Sequence, residues 1–215
     1  MSARARVLSA VGVESLRNLL REANTLPADA APLRQAGTLY AGALAAAKLK
    51  DLPAAERLAG RLPPLVANDP AAARAARLLQ GELALMAGQP ERAARMAAGG
   101  SGRSELLLGA QAALAAGRAS EAAQALQTWV TQHGNDGTAW QLLAHANTVQ
   151  GQTLRAVRAE AEAQLAWMDY PAALDRLRAA QDIVRRGGVD YIEASIIDTR
   201  ARQVESLVRE QALER

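Results

Sequence analysis

Gly117-Arg118-Ala119-Ser120-Glu121-Ala122 and Gly151-Gln152-Thr153-Leu154-Arg155-Ala156 decide the fold: their glycines, and their final alanines, stand 34 residues apart. Each glycine follows an apolar-periodic segment and precedes another, as Gly88 also does. That is where a left-handed residue closes a helix. A recurrence of this length is that of one helix–turn–helix unit repeated along a chain. Other punctuation agrees. Asp69-Pro70 reads as an N-cap followed by proline at the first helical position, and Pro90 opens a helix likewise. Thr138-x-x-Gln141 and Asp190-x-x-Glu193 have the spacing of capping boxes. Between these marks the periodicity predicts helices near 12–23, 33–48, 52–66, 71–87, 90–98, 103–116, 119–132, 137–150, 152–168, 170–186 and 190–212. Pro63-Pro64 must end or kink the third of them, and Gly99-Gly100-Ser101-Gly102 reads as a flexible loop.

Composition points the same way. Alanine supplies 52 of the 215 residues, aromatic residues only 3%, and there is no Phe. Alanine has the highest helix propensity and almost no side-chain entropy to lose, whereas strands favour the branched and aromatic side chains that are scarce here. The fold class is all-α. Small side chains let helices approach closely, which favours packed helical hairpins over one large globular core.

The repeat resembles the tetratricopeptide repeat (TPR). Trp140, Leu143 and Ala144 match the Trp-x-x-Leu-Gly start of its first helix, with alanine for glycine. Tyr170-Pro171-Ala172-Ala173-Leu174, with Leu177 and Ala180, matches its second helix. Gly117 with Ala122 and Leu126, Gly88 with Ala93, and Leu52-Pro53-Ala54-Ala55 are weaker copies. The resemblance implies a solenoid of helical hairpins. Ala93, Ala122 and Ala173 are then expected where helices come nearest, and Trp140 in the wedge between hairpins. An irregular alanine-rich bundle is the competing fold. In the last helix Ile192, Ile197, Val204, Leu207 and Val208 read as one apolar stripe, with Glu193, Asp198, Arg200, Arg202, Glu205 and Arg209 covering the other faces. That pattern suits a terminal capping helix, with a coiled-coil seam as the alternative.

Charge says little about partners. The formal net charge is +3, with 25 basic and 22 acidic residues, interleaved along helices as on solvated faces with i,i+4 pairs. RNA binding by a helical-repeat surface is a competitor raised by the arginine content, but such readers place code residues in many near-identical repeats, and these repeats are few and degenerate. The longest nearly apolar run, Leu106–Ala116, is broken by Gln111 and is well short of the ~20 residues that span a bilayer. No transmembrane segment is expected, and residues 1–20 show no signal-peptide pattern.

Reactive chemistry is hard to assemble. There is no cysteine and there are two histidines, His133 and His145, neither with a second histidine at ligand spacing. The Gly99–Ser104 stretch lacks the glycine and lysine a phosphate loop needs at 97 and 103. Ser195 has no nucleophile elbow. Trp129, Trp140 and Trp167 read as packing residues. The expectation is no metal, no cofactor and no catalytic residue.

A surface remains. In TPR arrays the first helix of each hairpin lines a groove for peptides or protein segments. On that register Leu107, Gln111, Gln141, His145 and Thr148 face the groove, and Arg155, Arg158 and Glu162 continue it. Its alternative occupant is the chain's own terminal helix. The basic pair would favour an acidic segment or a C-terminal carboxylate, but the paired pattern of chaperone-binding carboxylate clamps is absent.

The last third resembles a narrower family. It comprises Trp140-Gln141-Leu142-Leu143-Ala144, Gln150-Gly151-Gln152 with Leu154-Arg155-Ala156, and Asp169-Tyr170 with its alanine-rich helix. It closes on Asp190-Tyr191-Ile192-Glu193-Ala194-Ser195-Ile196-Ile197-Asp198-Thr199-Arg200. These are similar to the closing TPR segment of periplasmic zinc metallopeptidases of the BepA (β-barrel assembly-enhancing protease) type, over 137–213. The resemblance implies a TPR region that engages outer-membrane assembly machinery and substrates beside a zinc protease domain. The His-Glu-x-x-His of that domain and its glutamate ligand are not in this chain, so no catalytic residue carries over. Two readings compete: the partner-binding part of a periplasmic metallopeptidase, or a stand-alone cytoplasmic TPR adaptor. Residues 1–32 are expected to be an N-terminal helix and linker, a candidate junction with an upstream domain, and 33–215 the repeat domain.

Overall fold

The computed structural model of the chain describes residues 3–27, 29–187 and 191–213. Among them it has thirteen α-helices and no strand: α1 (Ala3–Leu8), α2 (Gly12–Asn24), α3 (Pro32–Lys48), α4 (Leu52–Ala59), α5 (Leu62–Val66), α6 (Pro70–Met86), α7 (Pro90–Ala97), α8 (Arg103–Ala115), α9 (Ala119–Gln132), α10 (Gly137–Val149), α11 (Thr153–Ala166), α12 (Tyr170–Arg185) and α13 (Tyr191–Leu213). Consecutive helices pack in pairs. The expected helix over 52–66 is two helices, α4 and α5, divided just before Pro63-Pro64, and α1 was not expected. Among the described residues no helix is long and apolar enough to cross a membrane.

The corners between helices share one construction. After α3, α6, α10 and α11 the chain closes with paired backbone hydrogen bonds: Lys50 N to Ala47 O with Asp51 N to Ala46 O, Gly88 N to Leu85 O with Gln89 N to Ala84 O, Gly151 N to Thr148 O with Gln152 N to Asn147 O, and Met168 N to Leu165 O with Asp169 N to Gln164 O, all 2.8–3.0 Å. This double closure satisfies carbonyls that the helix leaves free and demands a left-handed residue. Gly88 and Gly151 supply it at φ 70°, but Lys50 and Met168 adopt it at 64° and 61° without being glycines. Aspartates then open the next helix. The Asp51, Asp69, Asp136 and Asp169 carboxylates accept from backbone N–H groups of the first turn. Asp136 displaces the expected capping box at Thr138: Gly137 is already helical, so Thr138 lies inside the first turn. Asp190 lies outside the described residues.

The chain forms two compact units, residues 1–115 and 116–215. In the first, α1 and α2 pack on α3, where Val7 and Ala23 are fully buried, so this N-terminal segment shares one core with α3, α4, α5 and α6. Here α3, α6 and α8 meet in turn, with α4, α5 and α7 packed against them. Leu39, Leu58, Leu62, Leu79 and Leu83 are buried between them, each contributing about 1.5–3 kcal/mol relative to exposure.

In the second unit, α9 packs on α10, α10 on α11, α11 on α12, and α13 on both α12 and α11. Ala122, Ala173 and Ala180 are buried at these contacts with Leu126, Leu143 and Leu177. Trp140 is 7% exposed, and its indole Nε1 donates to Gly134 O at 2.8 Å. Trp129 stacks on His133 with ring centroids 3.7 Å apart and donates to the capping Asp136 at 3.0 Å. The stripe on α13 differs from the expected one. Ile197, Ala201 and Val204 are buried and Val208 packs beside them, but Ile192 is 78% exposed. Glu193 takes its place at 4% exposure, because position 193 shares one face with 197, 201, 204 and 208 at helical spacing.

The two left-handed corners without glycine generate a stability prediction. An L-residue there costs about 1–2 kcal/mol, whereas glycine costs about 0.5–1 kcal/mol in backbone entropy. Lys50→Gly and Met168→Gly are each expected to gain up to about 1 kcal/mol in urea unfolding; a loss at either position would contradict this account of the corners.

Candidate functional site

Each unit carries a cleft lined by a stripe from the first helix of a hairpin. In the first unit the cleft measures about 570 Å³. Its floor is α6, which presents Ala71, Arg74, Ala75, Leu78 and Glu82, spaced as one helical face. Arg103, Ser104, Leu107, Leu108 and Gln111 of α8 form one wall, and Arg4 of α1 with Tyr40 of α3 stand opposite. Its two alanines put little side chain between the cleft and the α6 backbone.

The charges of this cleft are held from behind. Glu105 of α8 has a side chain only 1% exposed and takes a bidentate hydrogen bond from Arg74, with Nε to Oε1 at 2.6 Å. Arg77 Nη2 lies 3.4 Å from the same carboxylate, while its Nη1 donates to Met96 O and Ala98 O at 2.9 and 2.6 Å, satisfying carbonyls at the end of α7. The loop read as flexible makes room for this pair. A Cβ on Gly100 would lie 2.7 Å from Glu105 Cγ, and one on Gly102 2.7 Å from Arg74 Nη2. The Arg74 hydrogen bond holds the Glu105 carboxyl below its ordinary range; burial opposes this, and the charges of Arg74 and Arg77 support it. At the far end Arg4 donates to Glu82 at 2.9 and 3.2 Å and to the Tyr40 hydroxyl at 3.3 Å. That contact with Glu82 raises the Arg4 pKa.

In the second unit the cleft is smaller, about 340 Å³. Gln141, Ala144, His145 and Thr148 come from α10, Glu160, Ala163, Gln164 and Trp167 from α11 and its C-terminal cap, and Arg176 from α12. Arg176 sits 3.4 Å from Glu160, and Trp167 is 47% exposed at the rim. The Thr148 hydroxyl donates to Ala144 O at 2.9 Å. No described residue of α13 lines this cleft.

Of the eight residues expected on a groove, Leu107 and Gln111 line the first cleft, and Gln141, His145 and Thr148 the second. The three on α11 do not join them. Arg155 is exposed and lines neither cleft. Arg158 donates to Glu193, and Glu162, 6% exposed, accepts two hydrogen bonds from Arg200 at 2.7 Å. Both are committed to α13, and the Glu162 contact raises the Arg200 pKa. The cleft instead takes Glu160, two positions from each, and Gln164, two beyond Glu162; two residues turn a helix by about 200°, onto its opposite side. Arg4, Tyr40, Arg74, Glu82, Arg103, Glu160, Gln164, Trp167 and Arg176 were not anticipated. The stripe on α6 was legible as spacing, but nothing local marks it as open. Among the described residues no group of three or more His, Asp or Glu is placed to hold a metal ion. What the clefts offer is hydrogen bonding from amides, an imidazole and guanidinium groups.

The Glu105 cluster generates a pH prediction. Its folded pKa lies below the unfolded value of about 4.3, so its stabilisation is complete above that value and is lost as pH falls through the folded pKa. Glu105→Gln is expected to lower the melting temperature at neutral pH and to flatten the acid limb below about pH 4.3 in calorimetry. An acid limb as steep as the parent's would show that the cluster does not carry this term.

No family model matches the chain, and no curated protein matches it.

Proposed function

We propose that this chain is a TPR-type scaffold that holds extended segments of other proteins in its clefts, performing no chemistry itself. The observation that carries the reading is a set of unengaged polar side chains. Gln111 in the first cleft and Gln141, His145 and Gln164 in the second have no hydrogen-bond partner among the described residues. A peptide in extended form presents unpaired N–H and C=O groups along its length, and amide side chains match both.

The partner class comes from the resemblance over 137–213. On that reading the chain is the substrate- or partner-engaging region of a periplasmic metallopeptidase, acting in outer-membrane protein quality control beside a separate zinc domain. The partners are proteins or peptides, with the outer-membrane assembly machinery among the candidates, and not nucleic acid. The supports are the consecutive pairing of helices, the left-handed closures at Gly117 and Gly151 and the burial of Trp140, Leu143 and Ala144.

Labelled extended peptides from outer-membrane β-barrel proteins should bind saturably in fluorescence anisotropy. The Gln141→Ala/His145→Ala double variant removes two hydrogen bonds of about 0.5–1.5 kcal/mol each and should weaken binding about tenfold. Undiminished binding by the variant, cleavage of the peptides, or stoichiometric zinc in the purified chain would overturn the reading.

A further inference from the structure

We infer that the cleft of the first unit selects an acidic extended segment, with an aspartate or glutamate seated between Arg74 and Arg103 and an apolar side chain beside it over Leu78 and Leu107. The inference rests on the peptide-binding reading and adds the chemistry of the segment. Its first support is charge. The lining holds three guanidinium groups, Arg4, Arg74 and Arg103, against one carboxylate, Glu82. Adding Arg77 and Glu105 behind the wall leaves four arginines against two glutamates, a net of two positive charges. A concave site of one sign focuses its potential on what enters.

The second support is an unused donor. Arg74 gives Nε and Nη2 to Glu105, and its Nη1 has no partner among the described residues. Glu105 is a positioning residue here: it fixes the guanidinium plane so that the remaining N–H groups are presented to the cleft, where Arg74 is 49% exposed. A fixed guanidinium loses little further freedom when a carboxylate docks. Arg103 and the Ser104 hydroxyl lie on the adjoining wall at the start of α8.

The third support is spacing. From Arg74 to Leu78 along α6 is four residues, about 6 Å of rise. Side chains on one face of an extended peptide recur every second residue, at about 6.6 Å. An acid at one position therefore places the side chain two residues on over the apolar patch of Leu78 and Leu107. Beyond it, Glu82 already neutralises Arg4, so a second acid gains less there. A nucleic-acid strand fits worse, since Tyr40 is the one aromatic ring of the lining and single strands need stacking platforms.

The test compares peptides that carry Asp-x-Leu with isosteric Asn-x-Leu peptides in anisotropy titrations on the full chain. The acidic probe should bind at least about tenfold more tightly at low salt and lose that advantage as salt rises. Gln111 is exposed and unengaged, so charge can be changed there without disturbing the fold. Gln111→Lys should strengthen the acidic preference and Gln111→Glu should weaken it, while Arg103→Gln should reduce it several-fold. The Gln141→Ala/His145→Ala variant should keep the acidic preference, because those residues line the other cleft. Equal binding of the two probes, no opposite response at Gln111, or tighter binding of a single-stranded oligonucleotide would overturn the inference. If neutral peptides also fail to bind, the scaffold reading fails with it; if they bind without preference, only this inference does.

Discussion

The closeness that alanine permits between helices is the constraint on which the rest of this structure depends. Alanine makes up most of the buried apolar residues, and Ala45, Ala46, Ala93, Ala122 and Ala173 sit at contacts with almost no exposed surface. Each buries little area, so no single contact stabilises much. Stability is spread over many short contacts between neighbours in sequence, which is why consecutive helices pair. The few large residues, such as Leu39, Leu79, Leu143 and Trp140, fill what the alanines leave. With side chains so small on the packed faces, the first helices of the hairpins keep one face unpacked, and the clefts lie along those faces.

Buried charge is the second consequence. Glu105, Glu162 and Glu193 are nearly inaccessible, and each meets an arginine from another helix: Arg74, Arg200 and Arg158. Pairs of this kind add less to stability than their geometry suggests, because desolvation offsets the attraction. They do fix which helix faces which. The composition, with Lys48 and Lys50 the only lysines among 25 basic residues, fits this use. A guanidinium grips a carboxylate with two parallel hydrogen bonds, and an ammonium cannot. One such pair, Arg74 with Glu105, also stands at a cleft, which ties the packing of α6 and α8 to the charge of its lining.

Much of the fold was legible because its signals are local. Glycine closures, an aspartate cap and prolines at first turns placed ten of the eleven expected helices within a few residues, the one over 52–66 being two, and Ala93, Ala122 and Ala173 are buried. The short α1 escaped because six residues carry too little periodicity. Lys50 and Met168 escaped because neither residue type signals a left-handed turn. The site was only half legible. Gln141, His145 and Thr148 follow from one helical face, but Arg158 and Glu162 were drawn into the groove because their partners on α13 are over 30 residues away. The same distance hid Glu105, whose partner Arg74 makes sense of the glycines at 100 and 102. Charges that looked like solvated i,i+4 pairs are in good part long-range contacts between helices, Arg92 with Glu56 among them; Arg209 with Glu205 is an i,i+4 pair as read.

The most direct test compares two alanines on α9, Ala122 at 1% exposure and Ala125 on the exposed face. Each is enlarged to leucine, and urea unfolding is measured. If helix approach sets the fold, Ala122→Leu loses about 1–3 kcal/mol while Ala125→Leu stays within about 0.5 kcal/mol of the parent. Equal stability of the two variants would contradict the account, since it would mean that the buried contact tolerates a side chain of any size.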